Sequence, residues 1–198
     1  MISTERLIVD MDKCILPKYI FQSHQFKIIT DVFLCGPIEK DDEGNKLDGA
    51  WPSGFRKRVE SAFYHYYPQR REDILFVCAG RVPKNLGMRL DVDNKYKPDF
   101  LCNAENMIMV KSERFPWTES DTPYNKDAAS KYYRKPMLNK SKVLKEMTRV
   151  TKVGGFVSVL DESFPVSPPR SLKCVARIAV SSVPNLTWRA FTVFRKET

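Results

Sequence analysis

The run Ile74-Leu75-Phe76-Val77-Cys78-Ala79, closed by Gly80, limits the possible folds more than any other stretch of this chain. An unbroken apolar run leaves a strand no face for water, so it implies covering layers on both sides, the setting of a buried parallel strand. A glycine directly after it is the form such a strand takes when a ligand lies beyond its carboxyl end. Residues 88–93 predict a second strand closing in Asp91 and Asp93, and residues 98–102 a third, followed by Asn103, Ala104 and Glu105. Successive strands ending in a glycine, an acid and an amide predict a shared binding edge.

Other elements follow from periodicity. Trp51-Pro52-Ser53-Gly54-Phe55 opens a helix in which Ser53 is the expected cap. Its apolar side is Phe55, Val59, Ala62, Phe63 and Tyr66, and its other side, Arg56, Lys57, Arg58 and Glu60, is expected to face water or phosphate. A clearer helix starts at Asn139, carries Val143, Leu144, Met147 and Val150 on one side, and is expected to end at Gly154-Gly155. Residues 156–161 read as another buried strand, and Pro165, Pro168 and Pro169 mark a loop. Residues 172–180 and 188–194 read as an antiparallel hairpin joined by Ser182-Val183-Pro184-Asn185. Only Arg81 to Gly87 separates Gly80 from the second strand, whereas a parallel crossover normally takes a dozen residues or so, so the helix expected there is missing or reduced.

The N-terminal part is less legible. Residues 7–9, 19–21 and 26–29 are short strand candidates, residues 41–46 a polar loop, and residues 1–50 together an N-terminal extension ahead of a domain over 51–198. Cys14, His24 and Cys35 have gaps that match no compact zinc spacing and are read as structural. The first ten residues lack the apolar core of a secretory signal. No run approaches the roughly 18 apolar residues that span a bilayer, so no membrane contact is expected. Five scattered cysteines favour reduced thiols and a cytoplasmic setting. A net charge of +9 over 198 residues favours a polyanionic partner.

Asp121-Thr122-Pro123-Tyr124 concentrates the chemistry. A carboxylate at a strand end, followed by a stiff turn whose carbonyls face a cleft, can accept hydrogen bonds from a planar amino group. Pro123 holds Thr122 extended, and Tyr124 can stack on the ring that bears the amine. Residues 126–135 then read as a helix.

Taken together, residues 76–80, Asp91, residues 102–107, Asp121 to Tyr124, Lys152 to Gly155 and the terminal hairpin resemble the class I S-adenosylmethionine-dependent methyltransferases. Within that class they resemble the enzymes that methylate exocyclic amines of adenine or cytosine. The resemblance implies an α/β, Rossmann-like methyltransferase fold with a mostly parallel sheet, a C-terminal antiparallel hairpin and helices on both faces. S-adenosylmethionine would lie on Cys78, Ala79 and Gly80, with Asp91 on the ribose, Asn103 and Ala104 at the adenine, and Pro52, Ser53, Gly54 and Phe55 completing the pocket. Asp121, Thr122, Pro123 and Tyr124 would hold the target base, most simply adenine in DNA, with no metal. DNA is the favoured partner over RNA, and a protein partner or a second copy of the chain is open. The alternative is a catalytically impaired protein of the same fold that binds nucleic acid or a protein.

Overall fold

A computed structural model describes residues 30–37, 51–121, 138–161, 168–182 and 187–198. The expected strands over 7–9, 19–21 and 26–29, the loop 41–46, Cys14, His24, Thr122 to Tyr124, the helix over 126–135, Pro165 and the turn residues 183–185 lie outside the described residues.

The strands are β1 (Asp31–Cys35), β2 (Ile74–Val77), β3 (Met88–Asp91), β4 (Phe100–Leu101), β5 (Phe115–Asp121), β6 (Thr151–Asp161), β7 (Leu172–Ser182) and β8 (Thr187–Lys196). They form one sheet in the order β1-β7-β8-β6-β5-β2-β3-β4. The pairs β1/β7, β2/β3, β2/β5, β3/β4 and β5/β6 are parallel, while β8 runs antiparallel to both β6 and β7. This is the mostly parallel, Rossmann-like sheet with a C-terminal antiparallel hairpin that the sequence predicts. The sheet also takes a strand, β1, from the stretch read as an extension.

Helices α1 (Phe55–Ala62) and α2 (Lys140–Val150) cover opposite faces. All of β2 is buried, as its apolar run requires: Ile74 and Phe76 join Phe55, Val59 and Trp117 on the α1 side, while Leu75 and Val77 join Val143, Leu144 and Met147 on the α2 side. The α2 stripe and its Asn139 cap are as expected, the cap accepting from the Lys142 N–H at 3.1 Å.

Three local expectations are corrected. The cap of α1 is Gly54, not Ser53, because the chain enters at φ 82°, a region glycine occupies freely, and no side chain caps the helix. The Ser53 backbone is bonded instead to Gly36 and Pro37. Gly154 and Gly155 do not end α2: the helix stops at Val150 and runs directly into β6. These glycines sit where the β5–β6 register slips between Phe115 and Trp117, opposite Pro116, which has no N–H for the ladder. A Cβ on Gly155 would lie 2.7 Å from the Pro116 carbonyl oxygen. Third, the exposed stripe of α1 loses Arg56, whose side chain is buried against the sheet.

No helix joins β2 to β3, as anticipated from the short spacing. The connection still closes because β2 rises only about 13 Å, within easy reach of an irregular segment of this length at about 3.3 Å per extended residue. Val82 and Leu86 pack it onto the α1-side core. Gly87 lets it pass over Phe76, whose ring would be 2.6 Å from an added Cβ.

The buried Arg89 then staples both neighbouring connections. It donates to the Val82 carbonyl at 3.4 Å and to the Lys97 carbonyl. Asp99 completes the staple, accepting from the Arg89 N–H at 2.9 Å and pairing with Arg71 at 2.5 Å. Burial pushes the Asp99 carboxyl up, but hydrogen bonds from Arg71 and Arg89 and their charges outweigh this and hold it below the usual range.

Candidate active site at the carboxyl edge of the sheet

The register of the central strands decides which residues share the edge. Val77 pairs with Leu90 on one side and with Ser120 on the other, so Cys78, Asp91 and Asp121 stand at one height past the end of the ladder. Asp91 and Asp121 also open onto the same face. Phe76 pairs with Arg89 and Glu119, so these lie on the α1 side, and side chains two residues further along return to that side. With two strand spacings between them, their Cα atoms are about 10 Å apart, wide enough for a flat ligand to lie between.

Between them the chain turns on Cys78, which holds a left-handed φ of 56°, and on Gly80 at φ 48°. The Ala79 N–H bonds to the Leu90 carbonyl at 3.0 Å. The Asp91 carboxylate braces the turn: Oδ2 accepts from the Gly80 N–H and Oδ1 from the Asp93 N–H, each at 2.9 Å. A carboxylate oxygen has a second lone pair, so a half-buried Asp91 keeps acceptor capacity for a ligand hydroxyl. The Cys78 side chain packs against the α2-side core, and its thiol is pushed well up by burial and by the Asp91 charge.

Asp121 is only 6% exposed, and Arg189 of β8 reaches it with Nη1 at 3.4 Å from Oδ1. The guanidinium arrives past the end of β6, where Asp161 pairs with Ala190. Asp161 itself lies on the opposite face, bonded to Lys140 at the start of α2.

On the far side, Asn103 is exposed and its Oδ1 accepts from the Glu105 N–H at 2.8 Å, which leaves the amide NH2 to face a ligand. Glu105 in turn accepts from the Asn139 N–H at 2.6 Å, tying this turn to α2. Arg149 adds bonds to the Met107 and Val110 carbonyls at 2.9 and 3.0 Å.

The expected site residues therefore fall into groups. Cys78, Gly80, Asp91 and Asp121 meet at one edge, with the exposed Asn103 in the turn after β4 and the exposed Ser53 and Gly54 at the start of α1. Ala79, Ala104 and Phe55 are in the cores, 2%, 1% and 0% exposed, so any contact they offer a ligand is through backbone. Phe55 packs edge-on to Phe191 at 5.2 Å. Pro52 is buried and its carbonyl accepts the Phe55 N–H. Arg189 and Arg56 carried no signal in the sequence, because their partners, Asp121 and Glu119, are remote in the chain.

These residues fit the nucleoside part of the implied cofactor, since Asp91 retains lone pairs and Asn103 a free-facing amide at the same edge. At the amino-acid end no helix N-terminus follows β2, and the Gly80 N–H is spent on Asp91, leaving the exposed Arg81 as the adjacent cation. Among the described residues no group of three or more His, Cys, Asp or Glu could hold a metal ion. None of their helices is long and apolar enough to cross a membrane.

No family model and no curated protein matches the sequence. Solved structures are similar in fold alone. One is the 1,6-didemethyltoxoflavin-N1-methyltransferase of Burkholderia thailandensis with its substrate and S-adenosylhomocysteine bound (12% identity, TM-score 0.46, 71% of this chain and 78% of that one). Another is TrmN of Thermus thermophilus (13%, 0.47, 70% and 48%). A third is the methyltransferase complexed with the Trm112 methyltransferase activator of Haloferax volcanii (12%, 0.47, 73% and 95%).

Proposed function

We propose that the protein is an S-adenosylmethionine-dependent methyltransferase acting on the exocyclic amine of a nucleic-acid base, with adenine in DNA as the first substrate to test. The reading rests on one observation: Asp91 and Asp121 open onto the same face at the same height, with the Cys78–Gly80 turn between them. Bound there, the cofactor supplies an electrophilic methyl group on sulfur. Asp91 accepts from the ribose hydroxyls, and Asn103 offers its amide at the adenine.

Asp121 accepts a hydrogen bond from the target amine. An exocyclic amine is a weak nucleophile because its lone pair is delocalised into the ring, and acceptors that favour a pyramidal nitrogen restore its reactivity. Arg189 reaches Oδ1 and would help keep the Asp121 carboxylate turned toward the amine. Thr122, Pro123 and Tyr124 complete this grip in the proposal, the Thr122 carbonyl as second acceptor and Tyr124 as stacking surface. A duplex substrate would flip its base out at a cost of a few kcal/mol, partly offset by that stacking. The charge of +9 supports a polyanionic substrate.

The braced turn without a helix favours a second reading, a protein that keeps the fold without transferring methyl groups. Calorimetric titration with S-adenosylmethionine separates the two, since no binding removes the enzyme. With labelled cofactor and DNA, single-stranded DNA or RNA, Asp121→Ala should lose about 100-fold or more in transfer. Unchanged labelling by that variant refutes the assigned centre, and label in neither DNA nor RNA refutes the nucleic-acid substrate.

A further inference from the structure

Beneath this edge lies a buried charge that the proposed chemistry does not use. Arg56, on the first turn of α1, and Glu119, which precedes Asp121 on β5, meet across the core with Nη1 2.8 Å from Oε1 and side chains 11% and 1% exposed. The guanidinium carbon is 3.8 Å from the Trp51 ring centre and 4.7 Å from that of Phe76. Arg56 also donates to the Tyr67 hydroxyl at 2.9 Å. Glu119 Oε2 accepts from Trp117 Nε1 at 3.1 Å and from Ser158 Oγ at 3.3 Å. Burial opposes the charge on Arg56, but Glu119 and Tyr67 outweigh it and hold the guanidinium above its ordinary value.

Stability does not account for such a cluster. Desolvation offsets most of the attraction in a buried pair, and replacing both partners with apolar residues is often neutral or stabilising. Arg56 Nε and Nη2 and Trp51 Nε1 also lack a hydrogen-bond partner among the described residues, and an unmet buried group is destabilising.

Position offers the reason. Glu119, Phe76 and Arg89 form one row across the sheet, a single strand repeat, about 7 Å, below Asp121 and Asp91. Arg56 touches that row from above and carries with it the segment from Trp51 to Phe55. We propose that Arg56 and Glu119 are a positioning pair that sets the Trp51 to Phe55 segment against β5, and so fixes where the exposed Ser53 and Gly54 stand relative to Asp121. What binds there rests on the proposed function, while the link itself belongs to the unliganded protein.

The double variant Arg56→Met/Glu119→Leu removes both charges without stranding either. It should unfold in urea at or above the wild-type midpoint. In the unliganded variant, amide exchange at Phe55, Arg58 and Ser120 should speed up about tenfold or more, with β7 and β8 unchanged. Affinity for S-adenosylmethionine should fall about tenfold or more. Arg56→Lys, which keeps the charge but not the flat guanidinium over Trp51 and Phe76, should fall between. Wild-type exchange and affinity in the double variant overturn the proposal, as does loss of its cooperative unfolding, which marks a purely structural pair. If the wild-type protein binds no S-adenosylmethionine, the proposed function fails and exchange alone decides the link.

Discussion

The two halves of the parallel sheet solve the same problem by different means. Between β5 and β6 the return path includes α2, whose buried stripe of Val143, Leu144, Met147 and Val150 covers one face. From β2 through β3 to β4 there is no α-helix, and a buried guanidinium replaces it, with Arg89 gathering carbonyls from both connections while Asp99 and Arg71 close the staple. A helix satisfies its own backbone, whereas an irregular connection over a core must find donors elsewhere. Arg149 serves a similar purpose in the helical half, holding the Met107 and Val110 carbonyls, but from a side chain 34% exposed against 6% for Arg89. The helix-poor half therefore depends more heavily on its buried arginine, Arg89.

Truncating each arginine tests this directly. Arg89→Met should destabilise by about 3 kcal/mol, because a side chain only 6% exposed takes with it the donor to the Val82 and Lys97 carbonyls and a partner of Asp99. Arg149→Met should cost about 1–2 kcal/mol, since the Arg149 side chain is 34% exposed and water can take its place. Equal losses in urea unfolding would show that the two halves do not differ in this respect. Gly87→Ala in the helix-poor half should cost about 1–3 kcal/mol, because its Cβ meets the Phe76 ring rather than a mobile side chain. In the helical half, Asn139→Ala should cost about 1 kcal/mol through loss of the cap, and a larger effect would mean that Asn139 does more than start α2.

Acid titration compares the halves most finely. Asp99 is held below its ordinary value despite its burial, through Arg71 and Arg89, and Glu146 is held low first by its hydrogen bond from Arg149. A depressed carboxyl contributes stability above its unfolded value, about 3.9 for Asp and 4.3 for Glu, and that contribution disappears as pH falls through the folded value. Asp99→Asn and Glu146→Gln should each flatten the fall of the urea midpoint below about pH 4 relative to the wild-type protein. A profile that keeps its wild-type slope in Asp99→Asn would place the acid sensitivity elsewhere.

Features that depend on neighbours in the chain were readable from the amino acids. The unbroken run in β2 required cover on both faces, Asn139 and its apolar stripe announced α2, and two β-rich runs about a turn marked the β7–β8 hairpin, because each pattern encodes local geometry plus burial. Asp91 and Asp121 were legible as strand-end acids for the same reason. What had to await the folded chain were the choices made by distant partners. Thr118, Glu119 and Ser120 are polar in sequence, yet all three are buried in a central strand, where the Thr151 hydroxyl meets Thr118 and Arg56 and Ser158 meet the Glu119 carboxylate. Arg56 reads as a surface cation until Glu119, far along the sequence, draws it under α1. The Gly154-Gly155 pair reads as a helix stop until Pro116 of the adjoining strand requires a bulge there. A side chain's environment is set by whatever the fold brings against it, and for these residues those neighbours lie outside any local window of sequence.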